Sequence, residues 1–200
     1  CRCSDYTTRY SSYGFHSGSL LRWKFGEEIM VDIVLKDRPL PLGLRNNNPG
    51  NLRPYDGELY AGTKNIIDNF LVFDTPDNGL RGLARDIKTK VNKNNLTTIG
   101  SVTQVYAPSN ENDPDNYTNL VVNNLNSLGY KITKDSNIEQ LIKKDNFLKD
   151  YMKSKMKVEN GADFENYFSD ETILKAIKDS KVSKKGPTKK ELELKINSIR

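Results

Sequence analysis

Histidine and cysteine are almost missing from this chain: 200 residues include one His and two Cys. Cys1 and Cys3 stand one residue apart, so they staple no distant segments, and with no second pair they form no zinc site. His16 alone leaves no material for a histidine metal centre or a Ser-His-Asp triad. Carboxylates remain as the side chains for acid–base work, and neither a metal nor a cofactor is expected. Long apolar runs are also missing. None approaches the roughly 20 residues of a membrane span, and no signal-peptide core is evident. The first residue is Cys1 rather than Met, as in a fragment or a processed form. With 36% hydrophobic residues and a mean hydropathy of −0.70 the core is lean, yet adequate for a helical domain of about 140 residues.

The net charge of +5 is unevenly spread. Lys plus Arg against Asp plus Glu stand at 6 to 5 over residues 1–40, 8 to 9 over 41–130 and 11 to 10 over 131–182, but at 6 to 2 over 183–200. Such a basic tail suits a solvated helix face first, and contact with nucleic acid, an anionic wall or an acidic partner second.

What the sequence does have is a dense turn signal, Leu44-Arg45-Asn46-Asn47-Asn48-Pro49-Gly50-Asn51-Leu52-Arg53. Asn tolerates left-handed backbone, Pro presets φ and Gly supplies positive φ, so a tight loop is expected. Its carboxamides offer donors and acceptors suited to sugar hydroxyls and N-acetyl groups, or to the loop's own backbone.

Residues 1–40 read as an arm rich in aromatics (Tyr6, Tyr10, Tyr13, Phe15, Trp23, Phe25) with a β-branched run at Ile29–Leu35, closed by Arg38-Pro39-Leu40-Pro41. Tyr55–Phe73 reads as a β-hairpin. Thr75-Pro76-Asp77 then starts a helix with Leu80, Leu83, Ala84, Ile87 and Val91 inward and Arg81, Arg85, Lys88 and Lys90 outward. A short helix capped at Thr97 or Thr98 turns Ile99, Val102 and Tyr106 inward. Asp113-Pro114 opens a helix with Tyr117, Leu120, Val121, Leu125 and Leu128 inward, ended by Gly129. A short helix over 138–142 precedes a longer one from Asp145, where Leu148, Met152, Met156 and Glu159 share a stripe that stops at Asn160-Gly161. Ile173, Leu174 and Ile177 mark a further amphipathic segment. Ser183–Gly186 reads as a linker, and Thr188-Lys189-Lys190-Glu191 as a capping box for a terminal helix carrying Leu192, Leu194, Ile196 and Ile199. Three regions follow: an arm (1–40), a mainly α domain with a small β-hairpin (41–182) and a basic helix (183–200).

Five pieces in order, Gly43–Arg53, Tyr60-Ala61-Gly62, Phe70–Phe73, Gly79–Ala84 and Ala107–Tyr117, resemble a family of phage virion and prophage proteins regarded as lysozyme-like cell-wall hydrolases. The resemblance implies a lysozyme-like α+β fold and a peptidoglycan hydrolase, muramidase or lytic transglycosylase in type. It also implies a place in the virion, among tail or internal proteins, with action on the host envelope during genome delivery. The alternative is a catalytically silent virion structural or adaptor protein that keeps the fold.

Glycosidic cleavage needs a carboxylic acid kept protonated beside the leaving oxygen. Glu159, at the apolar end of a helix, has the placement that raises a carboxyl's pKa, and resembles the way lysozyme-like enzymes carry their acid. Glu111, in Asn110-Glu111-Asn112-Asp113, matches the family motif and is the rival acid; its other role is to favour the next helix through the dipole. Glu58 comes third and Glu27-Glu28 last. Asn47, Asn48 and Asn51 are the expected contacts to N-acetyl and hydroxyl groups, with Tyr60, Tyr106 and Tyr117 as flat faces for sugar rings. In the related flagellar and autolysin glucosaminidases the acid-bearing helix precedes the Asn-rich hairpin, whereas no such helix precedes residue 44 here. If Glu159-Asn160-Gly161 fills that place, the domain is a circular permutation of the lysozyme-like arrangement.

Overall fold

A computed structural model describes residues 39–106 and 113–198, with the side chains of 196 and 197 left aside. The expected arm and its Ile29–Leu35 strand, the loop around Glu111, and Ile196 and Ile199 as inward residues lie outside what is described. From Leu40 on, the described residues belong to one compact unit. It is mainly α-helical with a small antiparallel β component.

The elements run α1 (Leu42–Arg45), β1 (Glu58–Tyr60), β2 (Thr63–Ile67), β3 (Phe70–Phe73), α2 (Pro76–Lys93), α3 (Ile99–Tyr106), α4 (Pro114–Ser127), α5 (Ile138–Leu141), α6 (Asp145–Asn160), a 3₁₀ turn (Ala162–Phe164), α7 (Asp170–Asp179), β4 (Lys185–Thr188) and α8 (Lys189–Asn197). Three of the longer helices begin where a side chain satisfies free N–H groups, whereas α6 follows Lys144 with no side-chain cap. Thr75 accepts from Asn78 N ahead of Pro76, Asp113 accepts from Asp115 N and Asn116 N ahead of Pro114, and Ser169 accepts from Thr172 N. Thr98 is the residue that caps α3, its Oγ1 accepting from Ser101 N at 3.1 Å.

Leu80, Leu83, Ala84 and Ile87 of α2 are fully buried, as are Leu148 and Met152 of α6 and Ile173 and Ile177 of α7. Burial of a side chain of this size is worth about 1.5–3 kcal/mol, so α2, against which α7 packs, is the spine of the core. The α4 stripe departs from expectation: Leu120 and Leu128 are exposed, and Thr118 takes the inward place. Its hydroxyl lies 2.7 Å from that of Thr103 on α3, a contact too short for two leucines. Leu194 of α8 is exposed as well, while Leu192 is buried.

The hairpin is β2–β3, turned at Asp68-Asn69, whose φ values of 50° and 62° are those of a type I′ turn. The expected Ser183–Gly186 linker is linker only in its first half: Lys185-Gly186 opens β4 (Lys185–Thr188), which pairs antiparallel with β1. The expected capping box then opens α8, with Thr188 N donating to Glu191 Oε2 at 2.7 Å and Glu191 N to Thr188 Oγ1 at 3.2 Å.

Candidate functional site: a buried carboxylate against the Asn loop

The Asn loop is laid along β3. Phe73 N donates to Asn46 O and Leu71 N to Leu52 O. Asn48 clamps it from within: its Nδ2 donates to Leu52 O and Leu71 O, and its Oδ1 accepts from Leu52 N, all at 2.9 Å. Asn47 Nδ2 reaches Phe73 O at 3.1 Å. Asn47 and Asn51 hold left-handed backbone, with φ 51° and 47°, which Asn tolerates better than most residues. Gly79 of α2 comes so close that a Cβ there would lie 1.8 Å from Asn47 O.

The last turn of α6 docks on this loop. Asn160 Nδ2 donates to Pro49 O at 2.8 Å and to Met156 O at 3.0 Å, and Gly161, at φ 93°, ends the helix. One residue earlier, Glu159 Oε2 accepts from Asn51 Nδ2 at 2.9 Å. Its Oε1 accepts from Tyr117 Oη and from Lys155 Nζ, each at 2.8 Å. The Glu159 side chain keeps 15% of its surface open, whereas that of Lys155 keeps 1%.

Burial acts most strongly on Glu159 and disfavours its charge, and the negative end of the helix dipole acts the same way. The Lys155 charge and the hydrogen bonds from Lys155, Asn51 and Tyr117 outweigh both and hold the carboxyl below the usual carboxylate range. Burial lowers Lys155 in turn, against the pull of Glu159.

A second buried carboxylate lies on α2. Asp86 accepts from Tyr60 Oη at 2.7 Å, from Lys90 Nζ at 2.5 Å and from Tyr106 Oη. Lys155 joins the two networks, its Nζ 3.6 Å from the Tyr106 ring centroid.

Of the expected site residues, Asn51, Tyr117 and Glu159 converge. Asn48 does not join them: it has no exposed surface, and its carboxamide is spent on the loop. Tyr60 is buried on Asp86 and offers no face to a ring, and Tyr106 belongs to the same network. Asn47 is half-buried and holds β3. Glu58 is exposed on β1 and accepts from Gly186 N at 3.1 Å. Arg81, read as a surface residue, is buried, its Nη2 3.4 Å from Ala61 O beneath the β1–β2 turn. Sequence reasoning missed Lys155, Asp86 and Asn160. Lys155 carried a signal, since it precedes Glu159 by four positions, the spacing of a helical ion pair.

Among the described residues no cluster of His, Cys, Asp and Glu is arranged to hold a metal ion. A groove of about 460 Å³ is lined by Tyr130, Leu141, Lys144, Asp145, Asn146 and Phe147, and one of about 260 Å³ lies between α2 and the end of α7. Glu159 lines neither.

No family model matches the chain. A search of curated proteins finds similarity to Protein P5 of Pseudoalteromonas phage PM2, 39% identical over 85 residues, which is 40% of this chain and 53% of that protein. The chain thus spans about half the length of the curated relative it matches.

Proposed function

We propose that this chain is a virion-associated peptidoglycan hydrolase, lysozyme-like in character, with Glu159 as its acid. One observation carries the reading: Asn51 from the Asn loop, Tyr117 from α4 and Glu159 from the end of α6 meet at one buried carboxyl with an open edge. The likeness to a phage protein supports the virion setting. Peptidoglycan is the substrate, other virion proteins are the neighbours, and the host envelope is the place of action.

Glu159 protonates the leaving glycosidic oxygen, and Asn51 and Tyr117 fix the carboxyl's orientation. Water attack then gives a hydrolase product, whereas closure by the sugar's own hydroxyl gives an anhydro product. Asp86 is tied up by two tyrosines and Lys90, so of the two buried carboxylates Glu159 is the one left for the reaction. In this reading α6 fills the place of the acid-bearing helix, and the lysozyme-like arrangement is circularly permuted.

The experiment is turbidity loss and product mass on purified peptidoglycan with the intact chain, Glu159→Gln and Glu111→Gln, each checked for folding by circular dichroism. Loss of about 10²–10⁴-fold in Glu159→Gln alone is the expected result. Loss confined to Glu111→Gln moves the acid to Glu111. A second reading, a catalytically silent virion structural or adaptor protein, is favoured by the Lys155–Glu159 ion pair, which leaves the carboxyl ionised at rest. No cleavage by the folded intact chain across pH and salt selects it.

A further inference from the structure

Lys155 is the least expected member of the site. Its ammonium is buried to within 1% of its side-chain surface and touches Glu159 Oε1 at 2.8 Å, Tyr117 Oη at 3.2 Å and the face of Tyr106. We propose that Lys155 sets the proton on Glu159: the two groups share one proton between Nζ and Oε1, and a sugar seated on the carboxyl draws it from the amine onto the acid. The inference rests on the reading of Glu159 as the acid, and it resolves the conflict that reading meets.

The physical reason lies in the balance of burial against pairing. An ion pair away from water is favoured over amine plus carboxylic acid only by a small margin, because both charges have lost their solvation. Glu159 still has an open edge, and a sugar covering it removes the last water from the carboxylate, which favours the neutral pair. Facing the pair are Tyr117 on α4, Tyr106 on α3, Asp86 and Lys90 on α2 and Asn51 on the loop, with Tyr151 on α6 and Tyr60 on β1 behind the two tyrosines. Asp86 is engaged by Lys90, Tyr60 and Tyr106, so Glu159 is the carboxylate bonded to Lys155.

The step balances. An N–H bond of Lys155 breaks as an O–H bond forms on Glu159, and rotation about the soft terminal torsion turns that O–H outward. The O–H bond then breaks as the leaving glycosidic oxygen takes the proton and its C–O bond cleaves. The carbon left behind bonds to a water oxygen or to the sugar's own hydroxyl, whose O–H bond breaks as the Glu159 carboxylate takes the proton, and that proton returns to Nζ as product departs.

The test reads the proton directly. Glutamate side-chain carboxyls are labelled with carbon-13, and the Glu159 resonance is assigned by its loss in Glu159→Gln. It is then titrated in the native chain, Lys155→Met and Lys155→Arg, without and with tri-N-acetylchitotriose. In the native chain the free carboxyl stays ionised through neutral pH, and the sugar moves its resonance towards the protonated position. In Lys155→Met burial is unopposed, and the carboxyl's proton affinity rises about tenfold or more. Lys155→Arg keeps the free carboxyl ionised but abolishes the sugar-induced shift, because a guanidinium yields no proton. Its fold also serves as the check should Lys155→Met not fold. A carboxyl that titrates alike in the native chain and Lys155→Met, or a native resonance unmoved by the sugar, overturns the proposal. Wall cleavage with an unaltered titration in Lys155→Met overturns this inference alone. The titration shift without any wall cleavage overturns the enzyme reading instead.

Discussion

Asn48 does for the Asn loop what a neighbouring strand does for a strand, using one carboxamide to satisfy two carbonyls and an amide. All three backbone groups are out of reach of water, so removing the side chain leaves them unmet. At about 1 kcal/mol for each hydrogen bond, Asn48→Ala is expected to lower unfolding stability by about 3 kcal/mol. The check is the urea midpoint at an unchanged slope, and an unmoved midpoint would show that the loop re-forms its bonds elsewhere. Asn51, three positions on, spends its carboxamide on Glu159 instead. Residues of one type thus divide between holding the loop and facing the carboxyl. Sequence could pick out the group but not the division, because which Asn points inward depends on the backbone angle at each position and on the strand laid beside it. Arg81 was misread for a related reason. Its helical position faces away from the apolar stripe, and only the β1–β2 turn above it makes that place an interior one.

At the scale of the element, helix ends, most stripes and the β2–β3 hairpin were legible, and the β1–β4 pairing was not. Thr75-Pro76, Asp113-Pro114 and Thr188–Glu191 work through atoms within four residues, so their signals lie in the local sequence. The α6 stripe likewise carried Glu159 to the inward side of its helix, on the same face as buried Met156. Strand β4 is Lys185-Gly186-Pro187-Thr188, with none of the β-branched alternation that marks a strand, and its state is imposed by β1. Leu120, Leu128 and Leu194 show the same limit, since an apolar residue on the edge of a stripe is inward only where a neighbour covers it. The contact between α2 and the loop gives a sharp prediction. In Gly79→Ala the new Cβ would meet Asn47 O at 1.8 Å, so α2 must shift or the loop must leave β3. A loss of about 3 kcal/mol or more is expected, beyond ordinary overpacking, and calorimetry would show it as a lower Tm. An unchanged Tm would mean that α2 moves away from the loop at no cost.

For the molecule as a whole, acid is the informative perturbation. Glu159 has a proton affinity lowered by folding, and so has Asp170, through hydrogen bonds from Lys149 and Lys153 that tie α7 to α6. A carboxyl depressed in the native state contributes stability that is present above its unfolded value and lost as pH falls through its folded value. With ordinary values of 4.5 and 3.8 for the two groups, stability should stay level from neutrality down to about pH 5 and decline below it. Asp170 is half exposed, so solvent screens its share and Glu159 dominates. Thermal melts of the native chain and Glu159→Gln across this range should show a shallower acid decline in the variant. Equal slopes would mean that Glu159 keeps its ordinary proton affinity in the folded state.

The placement of β4 and α6 also bears on how the chain reaches this structure. Glu58 and Gly186 meet across 128 positions, and Asn51 and Glu159 across 108. Contacts so distant along the chain close large loops before they return any favourable contact, which slows folding relative to a helical bundle of local contacts. A chain emerging from the ribosome would carry the Asn loop, the hairpin and α2 well before residue 159 is made. Glu159, with Lys155 already beside it on α6, therefore meets Asn51 and Tyr117 only when that helix docks, and until then the growing chain holds only half of its site.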